Sequence, residues 1–112
     1  MKKLATTIQR LPQSPKETEM LRTVLEEVNV CFMAFTLDCE VTVLDSIMHV
    51  LQVFGMDRKQ FAEKVSDCNR TVAFIRFIRD GVVADISFHK GKEIVDTVAI
   101  MFDGETNKFC GI

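Results

Sequence analysis

The chain contains two different patterns of hydrophobic and polar positions, and the pattern changes near residue 66. Before that point, apolar residues recur every three or four positions, which places them on one face of an α-helix. After it, apolar and polar residues alternate, as in a strand with one buried face. The sequence therefore predicts a helical part in residues 14–66 and a mainly β part in residues 69–112.

The N-terminal segment, residues 1–13, has a helical spacing of its own. Leu4, Ile8 and Leu11 recur at intervals of four and three beside basic residues. This predicts a short amphipathic helix, which Pro12 ends because proline cannot continue a helix.

A longer helix is predicted from about residue 15 to about residue 35. Ser14 suits the cap, Pro15 suits the first helical position, and Glu17 can reach back to the cap. The apolar run VNVCFMAFTL near its end is also compatible with a strand, because periodicity does not separate the two for a continuous apolar run. The predicted apolar stripe consists of Leu21, Val24, Leu25, Val28, Phe32 and Phe35.

Two further helices are predicted before the pattern changes. Asp38 can cap the first, and Gly55 can end it in a left-handed turn. Asp57 can cap the second, a short helix with the sequence RKQFAEKV. The apolar stripe of the first consists of Val41, Leu44, Ile47, Met48, Leu51 and Phe54, and the inward residues of the second are Phe61, Ala62 and Val65.

The β part alternates in VVADISFH, with Val82, Ala84, Ile86 and Phe88 on one face and Asp85, Ser87 and His89 on the other, which predicts a half-buried antiparallel strand. The turn KGKE leads into a second strand, IVDTVAIMF, and a turn at DGE leads into a short final strand within NKFCGI. The residues of the second strand expected to share its buried face are Ile94, Val98, Ile100 and Phe102.

The segment from Phe54 to Gly81 has two interpretations. In the first, Phe61 and Ala62 form the apolar-then-small pair of one helix, Val65 closes it, and NRTVAFI begins a second helix. In this arrangement residues 57–76 resemble the helix-turn-helix unit of phage repressors and Cro-type DNA-binding regulators.

This resemblance implies that the second helix contacts bases in the major groove, since Arg and Asn can each form two hydrogen bonds with a base edge. The hairpin of residues 82–102 would be a wing or a dimer sheet, with its tip near phosphate. The residues implied as DNA contacts are Arg58, Lys59, Asn69, Arg70, Ala73, Arg76, Lys90 and Lys92.

In the second interpretation, RTVAFIRFIR is a strand, and Asp80 and Gly81 are the central residues of a tight hairpin turn. As a helix, this segment would expose a phenyl ring on the face expected to read DNA. As a strand, it places Arg76 and Arg79 on opposite faces. An arginine on the face toward the helices would need a carboxylate such as Asp45 or Asp85, or would extend to solvent.

Both interpretations give an α+β fold in one domain, residues 1–112. One is a set of N-terminal helices packed on a small C-terminal antiparallel β-meander, and the alternative is a helix-turn-helix with a β-hairpin wing. Hydrophobic residues make up 47% of the chain, enough for one core. The sheet has edges that need cover, which favours a homodimer or another protein partner.

The sequence contains neither a secretory signal nor a long apolar run, so we expect a cytoplasmic protein with no membrane partner. In that compartment the four cysteines are expected to be free thiols. Residues 58–92 hold eight Lys or Arg and four Asp or Glu, whereas the remainder has a net charge of −6. This asymmetry is compatible with a cationic face for double-stranded DNA.

No motif in the sequence predicts a catalytic residue, a cofactor, a metal ion or a small-molecule ligand. His49 and His89 lie in patterns typical of a core and of an exposed strand position, and the acids Asp38, Glu40 and Asp45 suit a helix start. Two functions remain: a small regulator that binds DNA, and a non-enzymatic interaction module that acts through its sheet or apolar helices. An enzyme ranks third.

Overall fold

The computed structural model describes residues 4–36 and 51–111. The protein has a mixed α+β fold, as the sequence predicts. Its helices are α1 (Pro15–Thr36), a helical turn at residues 51–54, and α2 (Arg58–Ser66). Its strands are β1 (Leu4–Ile8), β2 (Arg70–Ile78), β3 (Gly81–Lys90), β4 (Glu93–Asp103) and β5 (Lys108–Gly111).

The strands form one sheet in the order β1-β2-β3-β4-β5. Strands β2 to β5 are antiparallel neighbours, whereas β1 is parallel to β2. The sheet is therefore a four-stranded meander extended by one N-terminal strand. The prediction of a helix in the N-terminal segment is wrong, because Leu4–Ile8 form a strand. A helix this short is only marginally stable without tertiary contacts. The β-branched residues Thr6, Thr7 and Ile8 instead extend along β2.

The start of α1 is capped as predicted, since the Glu17 amide donates to Ser14 Oγ at 3.1 Å. The Glu17 carboxylate, however, does not reach back to the Ser14 amide. It accepts from the Gln13 amide at 2.8 Å and binds Arg10. The helix continues through the run that was also compatible with a strand and ends at Thr36.

Two predicted helix boundaries in the second half of the helical part are confirmed, the turn at Gly55 and the cap at Asp57. The Gly55 amide donates to Leu51 O at 3.0 Å, and Gly55 has a left-handed φ of 65°. At the start of α2, Asp57 Oδ1 accepts from the Gln60 amide at 2.8 Å. The predicted cap at Asp38 lies outside the described residues.

The core lies between the helices and one face of the sheet. Its centre is aromatic: the ring of Phe61 lies 5.2 Å from Phe32 and 4.8 Å from Phe54, centroid to centroid. Phe88 of β3 is fully buried on the sheet side. Aromatic pairs of this kind contribute about 0.5–1.5 kcal/mol each beyond the burial of area. This cluster therefore holds α1, α2 and the sheet together.

The recognition helix predicted from the resemblance is wrong, because residues 70–78 form strand β2. Its register with β3 runs from Arg70 opposite His89 to Ile78 opposite Gly81. Ala73 and Ile75, two residues apart, are both buried beneath the helices. Because every second residue of β2 faces the helices, the strand buries one set of apolar side chains in the core. Its pairing with β1 and β3 gives its backbone amides and carbonyls hydrogen-bond partners.

The β2–β3 turn lies one residue earlier than predicted. Its central residues are Arg79 and Asp80, and Asp80 has a φ of 56°. Gly81 is the first residue of β3, where a Cβ would lie 2.8 Å from Phe102 O. Glycine is therefore needed there for a close approach of two strands. The KGKE turn forms as predicted around Gly91, which has a φ of 64°.

A β-bulge between Phe88 and His89 shifts the register of β4. Ile94, predicted on the buried face, is 56% exposed, whereas Ile100 is 1% exposed. The shift brings Val95 against the core instead. The alternation predicted for β4 therefore holds only after the bulge.

The different burial of Ile94 and Ile100 can be tested by replacing each with alanine. Ile100→Ala should lower the free energy of unfolding by about 2–5 kcal/mol, because it leaves a cavity in the core. Ile94→Ala should lower it by less than about 1 kcal/mol, because that side chain is mostly in water. Urea denaturation of both variants tests the bulge, and equal losses would contradict it.

Candidate functional site

The two faces of the sheet have different neighbours. The helices pack on the face that carries Ala73, Ile75 and Ile86, here called the helix face. In the part of the chain that the structure describes, neither α1 nor α2 packs on the other face, here called the open face. The open face is formed by Val72, Phe74, Arg76, Val83, Asp85, Ser87, Ala99 and Met101.

The centre of the open face is largely apolar. Phe74 is 39% exposed and lies in register between Thr7 of β1 and Asp85 of β3. Val83 lies in register between Arg76 and Met101 and is only 2% exposed. A large exposed aromatic ring on an apolar sheet surface is typical of a protein interface.

The charges at the centre of this face are balanced. Arg76 Nε donates to Asp85 Oδ2 at 3.0 Å, and both side chains are about half exposed. This is one of the carboxylate partners predicted for an arginine of this strand, although the pair lies on the open face. An exposed ion pair of this kind contributes only about 0–1 kcal/mol to stability. Its main effect is to leave the face without a local excess of charge.

One end of the open face carries a serine beside a histidine. Ser87 Oγ lies 2.8 Å from His89 Nε2, and Arg70 Nη2 lies 3.4 Å from His89 Nδ1. A guanidinium only donates, so Arg70 is the donor in its contact with Nδ1. Ser87 Oγ also donates to Val72 O at 3.4 Å. Arg70, His89 and Ser87 therefore form one hydrogen-bonded group at this end of the face.

The structure brings together four of the eight residues predicted to contact DNA. The Asn69 amide donates to His89 O at 2.9 Å, and Asn69 Oδ1 accepts from the Gly91 amide at 3.3 Å. These bonds hold the start of β2 beside the tip of the β3–β4 hairpin. The group, here called the cationic end, consists of Asn69, Arg70, Lys90 and Lys92.

The other four predicted contacts lie elsewhere. Ala73 is 1% exposed on the helix face and cannot contact DNA, and Arg76 is paired on the open face. Arg58 and Lys59 begin α2, where the Lys59 side chain is exposed. The prediction failed here because it placed residues 69–76 on one helix, whereas a strand sends alternate side chains to opposite faces.

The described thiols and acids do not form a reactive centre. Burial and, to a smaller extent, the charge of Glu27 raise the pKa of Cys31 to about 12. Cys31 is therefore a protonated core residue at neutral pH. Among the described residues, no three His, Cys, Asp or Glu side chains are grouped to hold a metal ion. The candidate residues Asp38, Cys39, Glu40, Asp45 and His49 lie outside the described residues.

Two surface grooves are present beside the helix face. One, of about 480 Å³, lies between α2 and β4 and contains the ion pair of Lys64 with Asp96. The hydrogen bond from Lys64 lowers the pKa of Asp96. The other, of about 430 Å³, lies between α1 and the β4–β5 hairpin. The first groove is lined by Met56, Gln60, Glu63, Lys64, Asp67, Val95 and Asp96.

Strand β1, which forms one edge of the described sheet, was not predicted from the sequence. Residues 5–8 of β1 are all exposed, and the strand is held at its end by the Arg10 guanidinium, which forms two 2.8 Å bonds with Glu17. Arg10 also lies 4.4 Å from the centre of the Phe77 ring, a cation–π contact. The signal that could have shown this strand is the β-branched run Thr6, Thr7, Ile8.

Comparison with protein-family models, with curated proteins and with solved structures finds no match for the chain. Its function is therefore argued from its own geometry. Among the described helices, none combines the length and the apolar content that a bilayer crossing requires.

The contact that fixes β1 should depend on pH. The hydrogen bonds from Arg10 lower the pKa of Glu17 from its usual 4.5 to about 2. A lowered carboxyl pKa stabilises the folded state above pH 4.5, and this stabilisation disappears as the pH falls through about 2. In the Glu17→Gln variant, the melting temperature should therefore fall less than in the original protein as the pH is lowered from 4.5 to about 2.

The control is Glu19→Gln, which removes a well-exposed carboxylate on the same helix. Its acid profile should follow that of the original protein. An acid profile for Glu17→Gln that matches the original protein would contradict a stabilising role for the Arg10 contact.

Proposed function

We propose that this protein is a non-enzymatic protein-interaction module, and that the open face of its sheet binds a second copy of the chain. The observation that carries the proposal is Phe74, 39% exposed at the centre of an apolar sheet face. Burying a fully exposed phenylalanine contributes about 1.5–3 kcal/mol, and Phe74, which is 39% exposed, would gain a corresponding fraction of this. The hydrophobic effect therefore favours covering this face.

The size of the open face supports a stable contact. Five strands at a spacing of about 4.8 Å span about 24 Å, and the nine residues of β2 extend about 30 Å. Allowing for the shorter edge strands and for Val83, which is only 2% exposed, the footprint of the face in each copy is at most about 600 Å². The total of at most about 1,200 Å² lies at the lower limit of specific protein–protein interfaces.

The charges of the open face support a second copy as the occupant. A two-fold axis reverses the direction of the Arg76–Asp85 pair in the opposite copy, so each arginine can meet an aspartate from either chain. The pair brings no net charge into the interface. A partner with one predominant sign of charge would gain nothing from this arrangement.

The experiment is sedimentation of the original protein and of Phe74→Asp over a range of concentrations. The introduced carboxylate would be buried without a partner in the contact, so the mass of the particle should fall at least twofold. The melting temperature of the chain itself should change little, because residue 74 lies on an exposed face. A matched control is Val30→Asp, which changes a half-exposed apolar residue of α1.

Val30→Asp should leave the mass of the particle unchanged. The proposal is wrong if Phe74→Asp keeps the original mass, or if the original protein is monomeric at every concentration tested.

A second candidate function is contact with double-stranded DNA through the cationic end. Its support is that Arg70, Lys90 and Lys92 come together at one end of the sheet although they are distant in the sequence. Exposed Lys and Arg side chains can neutralise DNA phosphates without reading bases. This contact would not depend on sequence, because the helix that was expected to read bases is absent.

Fluorescence anisotropy with a short DNA duplex tests this candidate. Three phosphate contacts predict that the logarithm of the binding constant falls with the logarithm of salt concentration with a slope of roughly −3. Replacing Arg70, Lys90 and Lys92 with alanine should abolish most binding. Arg76→Ala, on the open face, should have no effect. Binding that survives the triple change would contradict the assignment.

A further inference from the structure

The outer edge of β1 carries backbone groups that point away from the sheet. The Gln9 amide, one residue past the strand, donates to Ile75 O of β2 at 2.8 Å. Successive residues of a strand direct their amide and carbonyl groups to opposite sides. The groups of residues 5 and 7 therefore point to β2, and those of Leu4, Thr6 and Ile8 point outward.

This edge lacks the features that protect sheet edges from other strands. Natural edges are kept short, or carry charges and prolines. The opposite edge, β5, follows this rule, since it has four residues and begins with Lys108. Residues Leu4–Ile8 contain no charge and no proline, and no described strand lies on their outer side. The two edges of the sheet therefore differ in their readiness to pair.

We propose that β1 pairs with β1 of a second copy, antiparallel, with Thr6 on the two-fold axis. In this register Thr6 lies opposite Thr6, and Leu4 lies opposite Ile8. In an antiparallel pair, two opposite residues whose backbone amide and carbonyl groups point toward each other form two hydrogen bonds. Every outward amide and carbonyl of Leu4, Thr6 and Ile8 then gains a partner. The result is one continuous sheet across two copies.

The side chains of β1 are complementary in the same register. Leu4 and Ile8 lie on the helix side of the sheet, in register with Thr71 and Ile75 of β2. The pairing places each leucine beside an isoleucine of the other copy, which covers Ile8, now 37% exposed. On the open side Ala5 faces Thr7. A shift of one residue would turn apolar side chains to the wrong side.

These features favour a second copy over a foreign extended peptide. In LATTI the apolar residues Leu4 and Ile8 are equally distant from Thr6, so an antiparallel copy centred on Thr6 places apolar residues opposite each other at both ends of the strand. The pairing brings no like charges together within Leu4–Ile8. The Arg10–Glu17 bonds at the end of the segment hold the edge in place before a copy arrives, which lowers the entropy lost on pairing.

This edge contact is separate from the face contact proposed above, so the two can be tested independently. Thr6→Glu and Thr6→Lys each place like charges directly opposite across the axis. Either variant alone should lower the mass of the particle at least twofold in sedimentation. An equal mixture of the two should restore the original mass, because residue 6 then faces a residue of opposite charge.

Recovery in the mixture identifies a second copy, since a foreign strand at this edge would leave the mixture as small as each variant. It also excludes misfolding as the cause of the lower mass. Thr106→Glu, an exposed threonine in the β4–β5 turn, is the matched control and should keep the original mass. An unchanged mass for Thr6→Glu overturns the edge contact. An unchanged mass for Phe74→Asp with a lowered mass for Thr6→Glu overturns the face contact alone.

Discussion

The structure depends on the packing of one face of the sheet against two helices through a cluster of phenylalanines. Phe32 of α1, Phe61 of α2 and Phe88 of β3 come from three different elements and meet in one buried group. Because a strand directs alternate side chains to opposite sides, this packing uses only half of the side chains of β2 to β4. The other half forms the open face, and the helices therefore determine which surface remains for partners.

The same constraint groups the polar side chains of the open face with one another. The polar groups of the open face satisfy one another: Arg76 binds Asp85, and Arg70 orients His89 toward Ser87. Catalytic side chains need a base that can accept a proton or a carboxyl group with a raised pKa. The large pKa shifts among the described groups serve structure instead. Glu17 fixes the N-terminal strand, and Cys31 is a buried thiol.

The two contacts that we propose, at the face and at the edge of the sheet, would use different forces. The face offers apolar area with paired charges, whereas the edge offers backbone hydrogen bonds with a self-matching strand. A face contact gains mainly from the hydrophobic effect and an edge contact mainly from hydrogen bonds. Because the two surfaces lie at right angles, one contact does not block the other. The cationic end is left outside both.

The sequence by itself determined the elements with strong local signals. The capped helix from Pro15, the cap at Asp57, the turn at Gly91 and the alternation of β3 depend on neighbouring residues, so they were predictable. Only the tertiary structure decided the rest. Residues 4–8 became a strand because β2 offered a partner, and residues 70–78 became a strand because their alternate residues fill the core. The open face, the cationic end and the free edge follow from pairings between distant residues, which no local pattern encodes.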